Sequence, residues 1–407
     1  MASNQLLSLG HITNKALSVL ENNLVFTKSV NREYDDTFAQ RGAKIGDTAN
    51  IRKPPRYMGR RTATIAPEGS VETSVPLTLN TQYGVDLSFT SKDMTLDIDD
   101  FSERFLKPAM SQLANNIDQD GLALYKQIYN TVGTPGTVPS SLTPFLQAKA
   151  RLAQEGAPID ADITALLEPV AEVTVVDGLR SLFQSSEQIK KQYEAGVMGT
   201  AAGMTFKMSQ NVYQHTTGTQ GGTPLVNGAS QTGSSLVTDG WTAAAAQRLN
   251  VGDVFTIAGV YAINPQTRQS TGALRQFVVT AAGISDGSGN MTISISPSIV
   301  GPISSSLGAY NQTVSALPAD NAAITVLGSS AQLAMQNMVF HKNAFAFACA
   351  DLEDVPGDCV RKSDKRLGLS LRMVKFYDGT NDRVLHRLDL LGGWAVIRNE
   401  LAVRVAG

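Results

Sequence analysis

The chain has no lysine and no glutamate between Met208 and His341, although both residues are common on either side. Gly, Ser, Thr, Gln, Asn and Ala dominate this stretch, with short bursts of alternating β-branched and aromatic residues. A sharp break in composition is typical of a separately built unit. The pattern predicts one β-rich module inserted into a second fold of mixed helix and strand.

Cysteine and long apolar runs are also scarce. Cys349 and Cys359 are the only cysteines among 407 residues, too few for a disulfide framework, so we expect unbonded thiols in a chain assembled in a reducing cytoplasm. No apolar run reaches the roughly 20 residues of a membrane span, and the N-terminus does not read as a signal peptide. A net charge of −2 gives no general attraction to nucleic acid or membranes. We therefore expect no membrane partner.

What is present is the composition of a folded protein. Hydrophobic residues make up 42% of the chain and charged residues 17%, values that exclude a disordered chain. A chain of this length is expected to form two or three domains.

The N-terminal part predicts a short helix and then a projecting hairpin. Apolar residues at helical spacing predict an amphipathic helix over Thr13–Asn23. Further on, strand-like runs at Thr62–Ile65 and Ser74–Asn80 flank the turn-rich segment 66–70, which predicts a long two-stranded hairpin. Pro54 and Pro55 exclude a central strand just before it, because proline lacks the N–H that a sheet requires. An isolated hairpin is marginally stable, so we expect its base to rest on another element.

This loop carries positive charge without an intervening acid. One interpretation is a docking surface for phosphate or for carboxylates of a partner, and the other, commoner for a bare run of charges, is a solvated face. The basic residues are Arg52, Lys53, Arg56, Arg60 and Arg61.

The strongest helical pattern follows this loop. Apolar residues recur every three or four positions from about Asp100 to Thr131, and Pro108 should kink this long helix or mark its true start. Acidic residues before a helix are the ordinary response to its dipole. A metal site is the alternative, but no histidine or further acid stands at ligand spacing. The acids in question are Asp97, Asp99 and Asp100, and the helix later shows Asp118 and Asp120.

The middle of the chain predicts an α/β or α+β layer. Residues Phe145–Glu155 indicate a helix, Val170–Val176 a buried strand and Gly178–Lys191 a second helix.

The predicted insert runs from about Gln214 to Ser330. Alternation predicts strands at Asp253–Ala258, Gln276–Ala281 and Met291–Ser296. Residues 285–290 favour a turn over a calcium loop, because the same Asp and Asn residues suit a hairpin turn. Tyr261–Ala273 is predicted to be a long polar connection with Arg268 as its only charge. We expect an antiparallel barrel or sandwich.

Catalytic signals are missing from the sequence. The four histidines have no acidic or cysteine neighbour at ligand or triad spacing, and neither Gly-x-Ser-x-Gly nor His-Glu-x-x-His occurs. We therefore predict no catalytic residues, no cofactor and no metal site.

Several strings, in order along nearly the whole chain, resemble the P22-type tailed-phage coat protein family. They are residues 20–24, 30–34, 46–48 with 51–54, 251–255 with 259–260, 340–345, 369–378, 387–389 and 398–404.

The resemblance implies an α+β chain with the HK97-type capsid fold and an inserted antiparallel β-barrel domain. Its parts would be an N-terminal arm (1–36), an extended β-hairpin loop (37–90), a peripheral domain with a spine helix (91–135), an axial domain (136–213), the insertion domain (214–330) and a return through axial and peripheral domains (331–407). The basic loop would then lie over Asp97, Asp99 and Asp100 of a neighbouring subunit.

The function implied is that of a non-enzymatic major capsid protein. Copies would form the hexamers and pentamers of an icosahedral shell in the host cytoplasm, with a scaffolding protein, a portal protein and room for a decoration protein. The shell would enclose dsDNA without sequence-specific binding and would expand from a procapsid. The alternatives are a receptor- or glycan-binding β-rich spike or adhesin, suggested by the Ser/Thr/Gly-rich insert, and an encapsulin-like compartment of the same fold.

Overall fold

The structure is a computed structural model. It describes residues 9–32, 48–57, 59–60, 62–65, 67, 72–90, 102–158, 160, 162–179, 199–302, 311–356, 358–364 and 368–407.

Helices and strands alternate before the insert, and strands dominate after it. The α-helices are α1 (Leu9–Asn23), α2 (Lys107–Leu122), α3 (Thr143–Gln154) and α4 (Pro169–Leu179). The strands before the insert are β1 (Thr48–Arg52), β2 (Ser74–Thr78), β3 (Thr81–Thr90), β4 (Thr131–Gly133), β5 (Ile163–Leu167), β6 (Thr200–Ala201) and β7 (Met204–Met208).

The remaining strands belong to the insert and to the returning chain. Those of the insert are β8 (Gln214–Thr216), β9 (Gly222–Val226), β10 (Gly233–Trp241), β11 (Ala246–Leu249), β12 (Val254–Ile263), β13 (Ser270–Val279), β14 (Gly283–Ser285), β15 (Met291–Ile299) and β16 (Ile324–Val326). Those of the return are β17 (Leu333–His341), β18 (Phe345–Ala350), β19 (Asp358–Asp364), β20 (Leu369–Asp378), β21 (Arg383–Val396) and β22 (Ala402–Ala406).

The chain divides into two compact units, each assembled from separate stretches. The first comprises Met1–Ile51, Val75–Leu122 and Phe345–Ile397, and the second comprises Arg52–Ser74, Ala123–Ala344 and Arg398–Gly407. The mixed α+β class predicted from the sequence is confirmed. The finer boundaries of six segments stay a prediction.

In the first unit, an antiparallel sheet packs under two helices. Its strands run in the order β18-β21-β20-β19, and β3 pairs with the long strand β21. Helix α1 contacts α2, β19 and β20. The predicted N-terminal helix is confirmed and begins a little earlier than expected.

The predicted long helix is divided into three helical segments. A π-helical turn (Ser102–Leu106) precedes α2, and a 3-10 segment (Ala123–Gln127) follows it. Pro108 is the second residue of α2, where its missing N–H is not needed. Near the other end, a Cβ on Gly121 would lie 2.6 Å from the Trp394 ring, so this close approach requires glycine. Of the two predicted roles for Pro108, a kink or the true start of the helix, the structure shows the second.

The loop hairpin is paired differently from the prediction. β2 pairs with β1, which ends at Arg52, whereas residues 62–65 form no strand. The Lys53 N–H still donates to the Thr73 carbonyl at 2.7 Å, and Pro54 then ends the ladder because it has no N–H to give. The base rests on a core as expected, since the buried side chains of Ile51 and Leu77 join a cluster with residues of β18 and β21.

In the second unit, a mixed sheet has the order β4-β22-β17-β5-β7-β6. The predicted strand Val170–Val176 is wrong, because these residues lie in α4, and the buried strand is β5 just before it. The β-branched run favours strand locally, but Pro169 suits the first position of a helix and Glu172 its first turn. The predicted helix Gly178–Lys191 lies almost wholly outside the described residues.

The insert forms an antiparallel sheet in the order β16-β12-β13-β15-β10-β9. Its outer strands also meet, because the Val226 N–H donates to the Ala322 carbonyl at 3.0 Å beside a bridge between Leu225 and Ala323. The sheet therefore closes into a barrel. Its interior contains fully buried Leu236, Phe255, Phe277 and Ile293, among others. Of the two architectures that the strand pattern left open, barrel or sandwich, the structure has the antiparallel barrel that the family resemblance implied.

The long polar connection predicted at Tyr261–Ala273 is wrong in length. β12 continues to Ile263 and β13 begins at Ser270, which pairs with Ile263. The Asn264 side-chain oxygen accepts the N–H groups of Gln266 and Thr267 at 2.8 and 2.9 Å, so the chain reverses within six residues, 264–269. By contrast, the turn predicted at 285–290 is confirmed, with Asp286 accepting the N–H groups of Ser288 and Asn290.

The insert is entered and left through one narrow neck. β8 at its start pairs with β17 at its end, with Thr216 opposite Leu333. Cys349 is buried, Cys359 is half-buried, and no disulfide bond joins them within the chain. Among the described helices, none has the length and apolar character needed to cross a bilayer.

We expect a fragment of residues 214–330 to fold alone, because the barrel encloses its own apolar core. Circular dichroism should show a β-type spectrum and a single cooperative thermal transition. A fragment without β signal, or one that melts without cooperativity, would contradict the prediction.

Candidate functional site

The base of the extended loop forms a cluster of charges around one carboxylate. Arg56 Nη2 lies 3.3 Å from Glu400 Oε1, and Arg398 Nε lies 3.1 Å from the same oxygen. Glu400 follows β21 in a short 3-10 segment, Asn399–Leu401, which returns the chain beside the loop. Burial alone would raise the pKa of Glu400, but the positive charges around it outweigh burial and hold the pKa below its usual value.

Lys53 is the third cation of this cluster. It is half-buried and forms no ion pair with the described residues. Burial lowers the pKa of its ammonium group, and Arg398 and Arg56 lower it further against the opposing pull of Glu400. The cluster therefore carries positive charge that a single carboxylate does not neutralise.

These residues line a cavity of about 710 Å³. Besides Lys53, Arg56, Arg398 and Glu400, its walls include Pro54, Pro55, Tyr57, Gln266, Val300, Asn311 and Thr313. Glu155 also contributes, but its carboxylate is 2.8 Å from Arg275 and already paired. The cavity can accept a negatively charged group.

Two other basic residues predicted as contacts are used within the loop. Arg52 pairs with Glu72 at 3.4 Å, and both side chains are largely exposed. Arg60 Nη1 donates to the carbonyls of Thr62 and Ala63 at 3.0 and 2.8 Å, and also to that of Thr64. Arg60 therefore shapes the tip of the loop.

The structure describes only some of the acidic residues of the predicted contact. Asp97, Asp99 and Asp100 lie outside the described residues, as does Arg61. Asp118 is buried and binds the backbone of the N-terminal arm, and Asp120 accepts the Tyr83 hydroxyl at 2.9 Å. Asp118 is therefore not available to a neighbouring subunit.

A buried ion pair fixes the barrel to the rest of the second unit. Arg275 of β13 lies 2.8 Å from Glu155, the C-cap residue that follows α3, and both side chains are almost fully buried. Arg151 Nε is 3.9 Å from the same Glu155 oxygen. Burial alone would lower the pKa of Arg275, but Glu155 outweighs it and raises the pKa. Nearby, the Gln276 side chain exchanges two hydrogen bonds of 2.8 Å with the Thr131 backbone.

A second buried network holds the neck of the insert. His215 of β8 contacts the Tyr125 hydroxyl at 3.0 Å through Nδ1 and Asp253 at 2.8 Å through Nε2. Asp253 also accepts the N–H groups of Gly218 and Asn250. Sequence spacing does not reveal this arrangement, because its members lie far apart along the chain.

One group of side chains has the composition of a metal site: Asp160, Asp162 and His341. His341 Nδ1 accepts the Asn343 N–H at 3.2 Å, so in the neutral ring the proton is on Nε2, which faces Asp160 at 3.1 Å. A metal ion bound to Nε2 would leave the ring proton on Nδ1, where it would point at the Asn343 N–H. The hydrogen bond that Nδ1 accepts would then be lost. These residues fit a hydrogen-bonded pair better than a metal.

One family model covers the whole chain. The family model described as "P22 coat protein - gene protein 5" matches residues 1–407. A comparison with curated proteins gives no match.

Three solved structures illustrate the likeness. The capsid of Ralstonia phage GP4 has 8% identity and a TM-score of 0.49, covering 94% of this chain and 87% of that one. A chain of Mycobacterium phage Che8 has 12% identity and a TM-score of 0.46, covering 94% and 90%. The CUS-3 coat protein I-domain has 29% identity and a TM-score of 0.20, covering 26% of this chain and 96% of that one. The assignment rests on the family match over all 407 residues: the chain belongs to the P22 coat protein family.

Proposed function

We propose that this coat protein, the major capsid protein of a tailed phage, builds its icosahedral shell from hexamers and pentamers in the cytoplasm of the bacterial host. A scaffolding protein guides assembly, a portal protein occupies one vertex, and a decoration protein can bind outside. The shell encloses dsDNA without reading its sequence and expands when the genome enters. The chain itself has no enzymatic role. The family match over residues 1–407 is the observation that carries this proposal.

Imaging of the purified chain tests the proposal. Expressed with its scaffolding protein, the chain should form closed shells of uniform size. Small fixed oligomers would contradict it and favour a spike or adhesin, whereas shells holding enzymes and no DNA would favour an encapsulin-like compartment.

We propose further that the tip of the basic loop lies over the acidic start of the spine helix of a neighbour. Arg60 and Arg61 would face Asp97, Asp99 and Asp100. Each exposed pair contributes only about 0–1 kcal/mol, but the contact repeats in every copy and complementary charge fixes its register.

Reversing both charges, Arg60→Glu with Arg61→Glu, should leave the chain folded and reduce shell yield by about tenfold or more, because like charges would then meet at every copy of the contact. Circular dichroism checks the fold, and sedimentation measures closed shells. Normal assembly of the double variant would contradict the contact.

Arg60→Lys is the matched control, because it keeps the charge but removes the guanidinium Nη1 that donates to the three tip carbonyls. If Arg60→Lys impairs assembly as much as the reversal does, Arg60 acts by shaping the tip and its pairing with a neighbour is wrong.

A further inference from the structure

A strongly acidic segment joins β18 to β19 in the first unit. Its carboxylates are exposed at Asp351, Glu353, Asp354 and Asp358. Four acids at such close spacing repel one another, so the segment is stabilised when an outside cation approaches.

The backbone of this segment is anchored while much of its charge stays free. Arg361 donates to the Leu352 carbonyl at 2.7 Å, and Arg372 donates to the Glu353 carbonyl at 2.6 Å. Arg361 also lies 3.6 Å from the Asp351 carboxylate and 3.9 Å from that of Asp354. The Glu353 and Asp358 carboxylates form no ion pair with the described residues. The segment is therefore held in place and remains negatively charged.

The cavity at the base of the loop has the opposite balance. Lys53, Arg56 and Arg398 surround Glu400, which leaves two positive charges more than negative ones. The Lys53 ammonium is half-buried without an ion pair among the described residues, a costly state that an incoming anion relieves. The site is thus built to receive one negative group.

We propose that the acidic segment between β18 and β19 of one copy docks into this cavity of another copy, with a carboxylate meeting Lys53. The inference rests on the proposed shell and adds a contact at the base of the loop, separate from the one at its tip. Because the two surfaces differ and lie on the same chain, each copy offers one of each. Such a head-to-tail contact can repeat from one subunit to the next. It closes into a ring when the rotation between neighbouring subunits adds up to a full turn.

A carboxylate fits the cavity better than a phosphate of the enclosed DNA. Its walls include Pro54, Pro55 and Val300, which suit a peptide, and a carboxylate, that of Glu400, already lies between its cations. The net charge of −2 adds no general attraction for nucleic acid.

Charge exchange in the full-length chain tests this contact. Lys53→Glu and Glu353→Lys should each lower the yield of closed shells by about tenfold, through like-charge contact between copies. In the double variant, Glu at 53 of one copy meets Lys at 353 of the next, and yield should return to within about threefold of the original chain. A double variant no better than its worse parent would overturn the proposal.

Asp86→Lys is the control for the acidic partner. Asp86 is exposed in β3 of the same unit but outside the acidic segment. Combined with Lys53→Glu, it should restore nothing. Equal rescue by Asp86→Lys would show an unspecific effect of net charge and overturn the proposal.

Chemical labelling of Lys53 gives an independent readout. The ammonium should react at least fivefold more slowly in shells than in unassembled chains, and Glu353→Lys should remove that protection in the shells that still form. Protection that appears only after DNA enters would assign the site to phosphate and overturn the proposal. Absence of shells from the original chain would instead reject the proposed function itself.

Discussion

Replacing Glu155 with glutamine should lower the free energy of unfolding by about 3–5 kcal/mol, because it leaves two buried guanidinium groups without their carboxylate. Arg275 and Glu155 are only 3% and 4% exposed, and Arg151 is 9% exposed beside them. At such burial, bulk solvent does not screen the guanidinium charges that lose their partner. Urea unfolding of unassembled chains measures the change as a shift in midpoint at constant slope.

The exposed pair Arg52–Glu72 is the matched control. Its side chains are 81% and 56% exposed, so Arg52→Ala should change stability by at most about 1 kcal/mol. Replacing both buried partners with apolar residues, Glu155→Leu with Arg275→Met, should recover part of the loss. If Glu155→Gln costs no more than Arg52→Ala, the buried pair does not hold the barrel.

Replacing Asp118 with alanine should release the N-terminal arm from helix α2 and lower the free energy of unfolding by at least about 3 kcal/mol, since each hydrogen bond to a charged group contributes about 1.5–3 kcal/mol. The buried carboxylate accepts the N–H groups of Val25, Phe26 and Thr27 at 2.7, 3.1 and 3.0 Å, and the Thr27 hydroxyl at 2.6 Å. These bonds tie the end of α1 to α2.

Amide hydrogen exchange at residues 24–27 is the direct measurement. In Asp118→Ala these amides should exchange at least a hundredfold faster, whereas those of β21 should change little. Asp118→Asn keeps one acceptor oxygen and should fall between the two. Unchanged protection at residues 24–27 in the alanine variant would show that apolar packing alone retains the arm.

Local patterns in the sequence predicted the elements whose stability is itself local. Helix α1 has its apolar residues on one face, and Met291, Ile293 and Ile295 alternate along β15 as a barrel strand requires. The run Val170–Val176 misled, because β-branched residues favour strand while Pro169 and the surrounding core favour helix. Asn264 allowed a tight reversal that a merely polar composition does not reveal.

The sequence predicted the positive charge of the candidate site, but it did not predict which residues would contact one another there. The basic residues of the loop could be found from the sequence, and residues 398–404 belong to one of the family-like strings. That Glu400 would meet Arg56 across 344 positions could not be predicted, because no periodicity joins them. The same holds for Arg275 and Glu155, which lie 120 positions apart.

The paired strands at the neck have a consequence for how such a coat can change over evolution. Thr216 lies opposite Leu333 in the paired strands, and the Thr217 N–H donates to the Gln332 carbonyl at 3.0 Å. The places where the chain enters and leaves the insert are therefore already held together. A short turn there could replace the whole barrel without stretching the remaining sheet. The barrel can therefore be gained, lost or replaced in evolution without disturbing the rest of the fold. For the same reason, a foreign domain whose two ends lie equally close together could be inserted at this place.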